Sequence, residues 1–370
     1  MNAIEFQENI ITYYPDIYEG SYILFFSNLD FNFSVYFNEK KETWIGRPKF
    51  SDEALFRTLL LKELQKNNTY RSVEAKLRLD TRLSKILGYP YNNTPNDSVL
   101  KSFFKKLSIK KLKSIMRGLV AELRSRGRLR CRTLALDSTP IKAYYRPPTK
   151  KDKVAKDPDA TWGYSKSKGG KFYGYKAQVM VDTETGLPIE CIVTTANVSD
   201  QKMVRPFINL MNKIEVHPKY TILDKGYDSE DNHLEIRERG GAIALIAINR
   251  RKGKSKGDTK LIEKYTKKAF IQLTLGEALS YKLRKKIYRR VCEIMLNKRK
   301  YKLIFKKRGA VERYFASLKR QMHLEDHRMK GLKNIYKHVL LQCIAFLCLS
   351  IVCDNLGIPE ACKSLSFFQN

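Results

Sequence analysis

Apolar residues change their spacing twice along this 370-residue chain. Between about residues 52 and 126 they recur at helical intervals, and Leu55, Leu59, Leu60 and Leu64 form one broad face. Asn96-Asp97-Ser98 can cap a helix entered at Val99, and Ser72 stands before the helix formers Val73-Glu74-Ala75. After Arg130 the apolar runs become short. They predict strands near 133–138, 173–182, 188–195, 219–224 and 242–248, the second and third joined by the turn residues Asp182-Thr183-Glu184-Thr185-Gly186. Helices are expected at 200–213, 229–239, 308–322 and 334–353. This order predicts an α/β fold, a mixed sheet with flanking helices preceded by an all-helical region. Residues 146–171, with Pro147, Pro148, many lysines and Gly169-Gly170, read as a loop. The apolar run 339–353 contains Gln342 and Ser350 and is short for a bilayer, so it reads as a core helix.

Charge changes this picture more than length does. The chain carries 71 Lys and Arg against 38 Asp and Glu, a net charge of +33, which calls for a polyanionic partner. Residues 1–39 contain six acids and no base, among many aromatics. Bases concentrate instead at 101–130, with eleven against one acid, and at 250–307, with twenty-one against four. In the first run Lys101, Lys105 and Lys106 interleave with Phe103 and Phe104, which suits a small DNA-binding module of helix-turn-helix type. The seven cysteines form no CxxC pair, and the N-terminus shows no basic segment before an apolar stretch, so a reduced, cytoplasmic protein without membrane association is expected.

Three acids stand where chemistry on a polyanion needs them. Asp137 ends Thr133-Leu134-Ala135-Leu136, Asp224 ends Tyr220-Thr221-Ile222-Leu223, and Glu312 lies in an expected helix. Two carboxylates at the ends of buried strands and a third on a helix can converge on one spot. Hard oxygen ligands of this kind suit Mg²⁺ or Mn²⁺, and in so basic a chain the matching substrate is a phosphodiester. His323 and His327 have a spacing that can bind zinc, but His-Leu-Glu-Asp-His is not a zincin motif. Trp162 can either pack or stack on an unpaired base. Asn197 and Asp200 can either support the acids or cap the helix at 200–213.

With these residues in place the chain resembles the DDE-type transposases of bacterial insertion sequences. That group has a ribonuclease-H-like catalytic domain and a Tyr-(2)-Arg-(3)-Glu-(6)-Lys motif, which Arg308, Glu312 and Lys319 match in type and spacing while Phe305 stands at the Tyr position. Leu136-Asp137-Ser138-Thr139 matches the segment of its first acid, and Asp224-Lys225-Gly226-Tyr227 that of its second. Gly174-Tyr175-Lys176, opening a strand, and Ala196-Asn197-Val198-Ser199-Asp200, closing one, also look like the family.

The resemblance implies a transposase that binds inverted repeats and catalyses metal-dependent cleavage and strand transfer. Alternatives are a ribonuclease-H-like nuclease without strand transfer and an inactive DNA-binding regulator. It also implies two ions, roughly 3.5–4 Å apart, on Asp137, Asp224 and Glu312. Arg308, Lys319, Lys101, Lys105 and Lys106 would contact DNA, and a homodimer would act on transposon ends and target at the bacterial nucleoid. The domain division expected is 1–45 acidic and aromatic, 46–130 helical and DNA-binding, 131–353 catalytic with a basic insertion at about 250–307, and 354–370 a tail.

Overall fold

The computed structural model describes residues 21–37, 50–65, 69–90, 93–152, 154–247, 249, 268, 281–290, 298–363 and 368. Most of the basic run 250–280 and of the acidic run 1–20 lies outside the described residues. The chain divides into two compact units, 1–128 with 141–160 and 315–370, and 129–140 with 161–314.

The first unit is helical. It contains α1 (Ser21–Ser27), α2 (Asp52–Leu64), α3 (Tyr70–Leu79), α4 (Thr81–Leu87), α5 (Asp97–Lys106), α6 (Ile109–Ser125) and α12 (Leu332–Asn355). Each of α2 to α6 starts on a side-chain cap: Ser51, Thr69, Asp80, Asn96 and Ser108 accept from the backbone N–H three residues on. Such caps satisfy donors that a helix cannot pair internally. In α6 the residues Leu112, Ile115, Met116, Leu119, Val120 and Leu123 are buried, a continuous stripe that packs on α12.

At 24 residues α12 is longer than the apolar run suggested and long enough to cross a bilayer, yet 94% of its apolar window is buried within the protein. It is a core helix, covered by α2 and α6. Its polar residues are all engaged. The Lys337 ammonium donates to the carbonyls of Phe104 and Lys105, both at 2.9 Å, and so caps the C-terminus of α5. Glu63 of α2 receives Lys62 at 2.9 Å and lies 3.3 Å from the His338 ring, while Gln342 donates to the Met322 carbonyl at 2.7 Å.

The second unit is built on a six-stranded mixed sheet. Its strands are β1 (Thr133–Lys142), β2 (Thr161–Ser165), β3 (Gly170–Asp182), β4 (Pro188–Thr195), β5 (Tyr220–Leu223) and β6 (Ile243–Ile246). The order is β2-β3-β1-β5-β6, with β4 paired to β3. β1, β5 and β6 are parallel, whereas β3 is antiparallel to β2 and β4. α7 (Val204–Lys213) buries Val204, Phe207, Ile208 and Met211. α8 (Glu230–Leu234), α9 (Tyr281–Arg290), α10 (Lys298–Lys306) and α11 (Gly309–Arg320) complete the helices. The expected mixed sheet with flanking helices and a helical N-terminal region is therefore present.

Four sequence expectations need correction. The expected loop at 146–171 contains β2 and the start of β3: Gly169 and Gly170, at φ +74° and +126°, form the reversal of a hairpin whose lysines and exposed rings disguise its alternation. Gly174-Tyr175-Lys176 accordingly lies inside β3 and does not open it. The helix expected at 229–239 is α8 followed by a π turn at Glu235–Arg239. Finally, β1 does not stop at Asp137 but runs on to Lys142, outlasting β5.

Candidate functional site

Strand register brings the first two acids together. Leu136 pairs with Leu223 in the parallel β1–β5 ladder, so Asp137 and Asp224 are the next residues on neighbouring strands and emerge side by side. Asp137 sits where β1 has lost its β5 partner, and its Oδ1 accepts from the Ser138 N–H at 2.8 Å. The third acid comes from α11. Glu312 is bound to Arg308, one turn earlier, and the same guanidinium donates to Asp137 Oδ2 at 3.0 Å. One cation thus ties the β1 acid to the α11 acid.

Burial is the largest influence on Asp137 and raises its pKa to about 6, with the charges of Asp224 and Asp200 adding to it and the Ser138 N–H and Arg308 opposing. A carboxylate held near neutrality is a common mark of a working site. Tyr227 lies beneath the same group, 1% exposed. Burial first, then the charges of Asp200, Asp137 and Asp224, push its phenol well above the ordinary range, against the Ser138 hydroxyl.

Two family-like segments, 24 residues apart, meet at this place. Lys176 of β3 donates to Asp200 at 2.9 Å, and Gln178 reaches the same oxygen at 3.5 Å. Asp200 is therefore a fourth carboxylate beside Asp137 and no helix cap. Asn197 accepts from the Thr161 and Thr195 hydroxyls at 3.3 and 2.7 Å, which is a turn role. Sequence spacing could not show the Lys176–Asp200 pair, because it joins residues across a strand pairing.

The basic insertion is partly consumed within the unit. Arg289 of α9 grips the buried Asp228 at 2.9 and 2.8 Å, and the Asn249 N–H donates to the same carboxylate at 2.8 Å. Arg284 lies 3.2 Å from Glu238, and Lys285 pairs with Asp231. These bases fasten α9 to the loop and helix that follow Asp224.

The remaining candidates fall elsewhere. Lys319 is on α11, two turns past Glu312, and pairs with Glu325 at 3.1 Å. Lys105 and Lys106 are exposed, and Lys101 pairs with Asp97 at 2.6 Å. Phe103 and Phe104 are buried, so the rings interleaved with these lysines are core residues and not a stacking surface. Phe305 stacks on Tyr301 one turn earlier, at 5.6 Å and 14°. His323 and His327 do not pair: the first meets Asp326 at 3.1 Å and the second meets the Lys142 carbonyl at 3.0 Å, with burial pushing its pKa down to about 4. Among the described residues, no three His, Cys, Asp or Glu side chains lie close enough together to ligate one ion. Arg308 is the cation found between Asp137 and Glu312.

A family model described as "Transposase DDE domain" matches residues 130–348, more than half of the chain. No curated protein matches. A cryo-EM structure of a piggyBac transposase synaptic complex with hairpin DNA is similar at a TM-score of 0.40 and 13% identity, over 94% of this chain and 80% of that one.

Proposed function

Because the chain belongs to the DDE-domain transposases, we propose that it binds the inverted repeats of an insertion sequence, cuts there and joins the ends to target DNA. The observation that carries this reading is the side-by-side placement of Asp137 and Asp224 with Glu312 tied to the first through Arg308. All three donors are carboxylate oxygens, and the pair Asp137 and Asp224 concentrates negative charge, which fits Mg²⁺ or Mn²⁺. Asp137 would be shared by two ions, with Asp224 and Glu312 completing one each. Bound there, the ions would activate water and relieve charge on the leaving oxygen.

The chain's own residues do the rest. Arg308 leaves Asp137 and Glu312 when these ligate, and its guanidinium is then free to hold a phosphate beside the cut. Lys319, two turns along α11, holds the strand further on. Lys101, Lys105 and Lys106 in α5 contact the DNA backbone from the helical DNA-binding region. Cutting both ends of one element calls for a homodimer on DNA, and the reaction takes place in the cytoplasm at the nucleoid.

The test is direct. Flanking DNA of the gene, end-labelled and incubated with protein and Mg²⁺, is expected to show discrete cuts at an inverted repeat and joined products. Cuts scattered without regard to sequence would leave a nuclease without strand transfer. Tight binding without cutting would leave a regulator.

A second expectation needs no DNA. With its pKa near 6, Asp137 holds a proton in the folded state that an unfolded aspartate (about 3.9) has already released. This contribution to stability is full below about pH 4 and lost as pH rises through about 6. Above that, Mg²⁺ should restore stability by binding the ionised cluster. Mg²⁺ is thus expected to raise Tm at pH 8 and to do little at pH 5. A shift equal at both values would remove Asp137 from the metal site.

A further inference from the structure

The β2–β3 hairpin presents a surface that the acids and their neighbours do not use. β2 alternates Trp162 and Tyr164 outward with Gly163 inward, and in register Trp162 faces Tyr173 while Tyr164 faces Lys171. Opposed residues of an antiparallel pair share a face, so Trp162, Tyr173, Tyr164 and Lys171 form one strip. The opposite face is packed: Phe172 is buried, and a Cβ at Gly163 would come within 2.6 Å of the Ala196 carbonyl oxygen. Glycine is thus what lets the hairpin lie against the end of β4, and the aromatic strip is turned outward.

A cross-strand aromatic pair can simply stabilise a hairpin, and Trp162 and Tyr173, 5.7 Å apart, do so. That role leaves too much surface over. Trp162 is still 55% exposed, and Tyr164, opposite a lysine, is 69% exposed. Two adjoining large rings in solvent mark a binding surface. Residues 161–181 contain four lysines and no acid, so the complementary partner is an anion. β3 continues from this strip to Lys176, three residues or about 10 Å beyond Tyr173, and Lys176 holds Asp200 beside Asp137.

We propose that the outward face of the hairpin, Trp162 with Tyr164, Tyr173 and Lys171, is a stacking platform for unpaired bases of the DNA strand next to the cut. A ring can stack only on a base whose π-face is free, so the platform binds single-stranded or splayed DNA and not closed duplex. The inference rests on the transposase reading and gives the hairpin a share in handling the strand end.

The test reads binding without cleavage, in chelator, so that an inactive catalyst and an absent platform give different results. The chain has two tryptophans, and Trp44→Phe leaves Trp162 as the sole tryptophan reporter. Oligo-dT, and a duplex with an unpaired 3′ tail, are expected to quench its emission, whereas a blunt duplex is not. Tyr164→Ala, at an exposed position, should weaken oligo-dT binding about tenfold and leave blunt-duplex affinity within about twofold. Trp162→Ala should do the same and Trp162→Phe should retain most of the affinity, with thermal melts confirming the fold. Equal losses on both DNAs, or no loss on either, would overturn the platform while leaving the transposase reading intact. Failure to bind any DNA would overturn both.

Discussion

Asp224→Asn is expected to abolish DNA cutting, by a factor on the order of a thousand or more, while end binding stays within a few-fold of wild type. The substitution keeps size and removes one charge at the position beside Asp137. Affinity for the ends comes from bases and backbone contacts, which the change does not touch. Cleavage and gel-shift measurements on the same DNA, at one salt concentration, separate the two effects. Wild-type cutting by the variant would exclude Asp224 from the reacting centre. Weakened binding in parallel with cutting would make it a structural residue of the β5 end.

The second large effect concerns stability and lies in the helical unit. Glu63→Ala should cost about 3–5 kcal/mol, because it strands the buried Lys62 ammonium without a partner. Burial alone would raise the Glu63 pKa, but Lys62 and His338 outweigh it and hold the carboxyl at about 2. A depressed carboxyl contributes stability that is full above the unfolded value of about 4.3 and lost as pH falls through about 2. Denaturant unfolding at pH 7 should therefore show the full loss in Glu63→Ala, and the gap to wild type should narrow below pH 4. A loss under about 1 kcal/mol at pH 7 would mean that Lys62 reaches water in the folded state.

Periodicity carried much of the fold because the helices of the first unit and the strands of the second each bury one clear face. The α6 stripe and the runs ending at Asp137 and Asp224 were legible for that reason. β2 was not, since its outward residues are aromatic and its inward one is glycine, the reverse of what a half-buried strand shows. Of the site, the three acids and Arg308 could be read from motif spacing. Lys176 with Asp200 could not, because a strand pairing brings them together. Tyr227 stood in a quoted motif, but its place beneath the acids depends on the turn after β5. The lysine-rich runs misled most: Arg284, Lys285 and Arg289 serve neighbouring acids, and the phenylalanines between Lys101 and Lys106 serve the core.

The position of α12 in the chain has a consequence for synthesis. The faces of α2 and α6 that it covers leave the ribosome early, and their partner begins only at Leu332, some 200 residues after α6 ends. At roughly 5–20 residues per second this is a wait of roughly 10–40 s. During that interval the stripe from Leu112 to Leu123 has no permanent cover. A nascent chain of this protein is therefore a client for chaperones until its last tenth is made, and a message truncated before α12 yields aggregate, not a free-standing helical fragment.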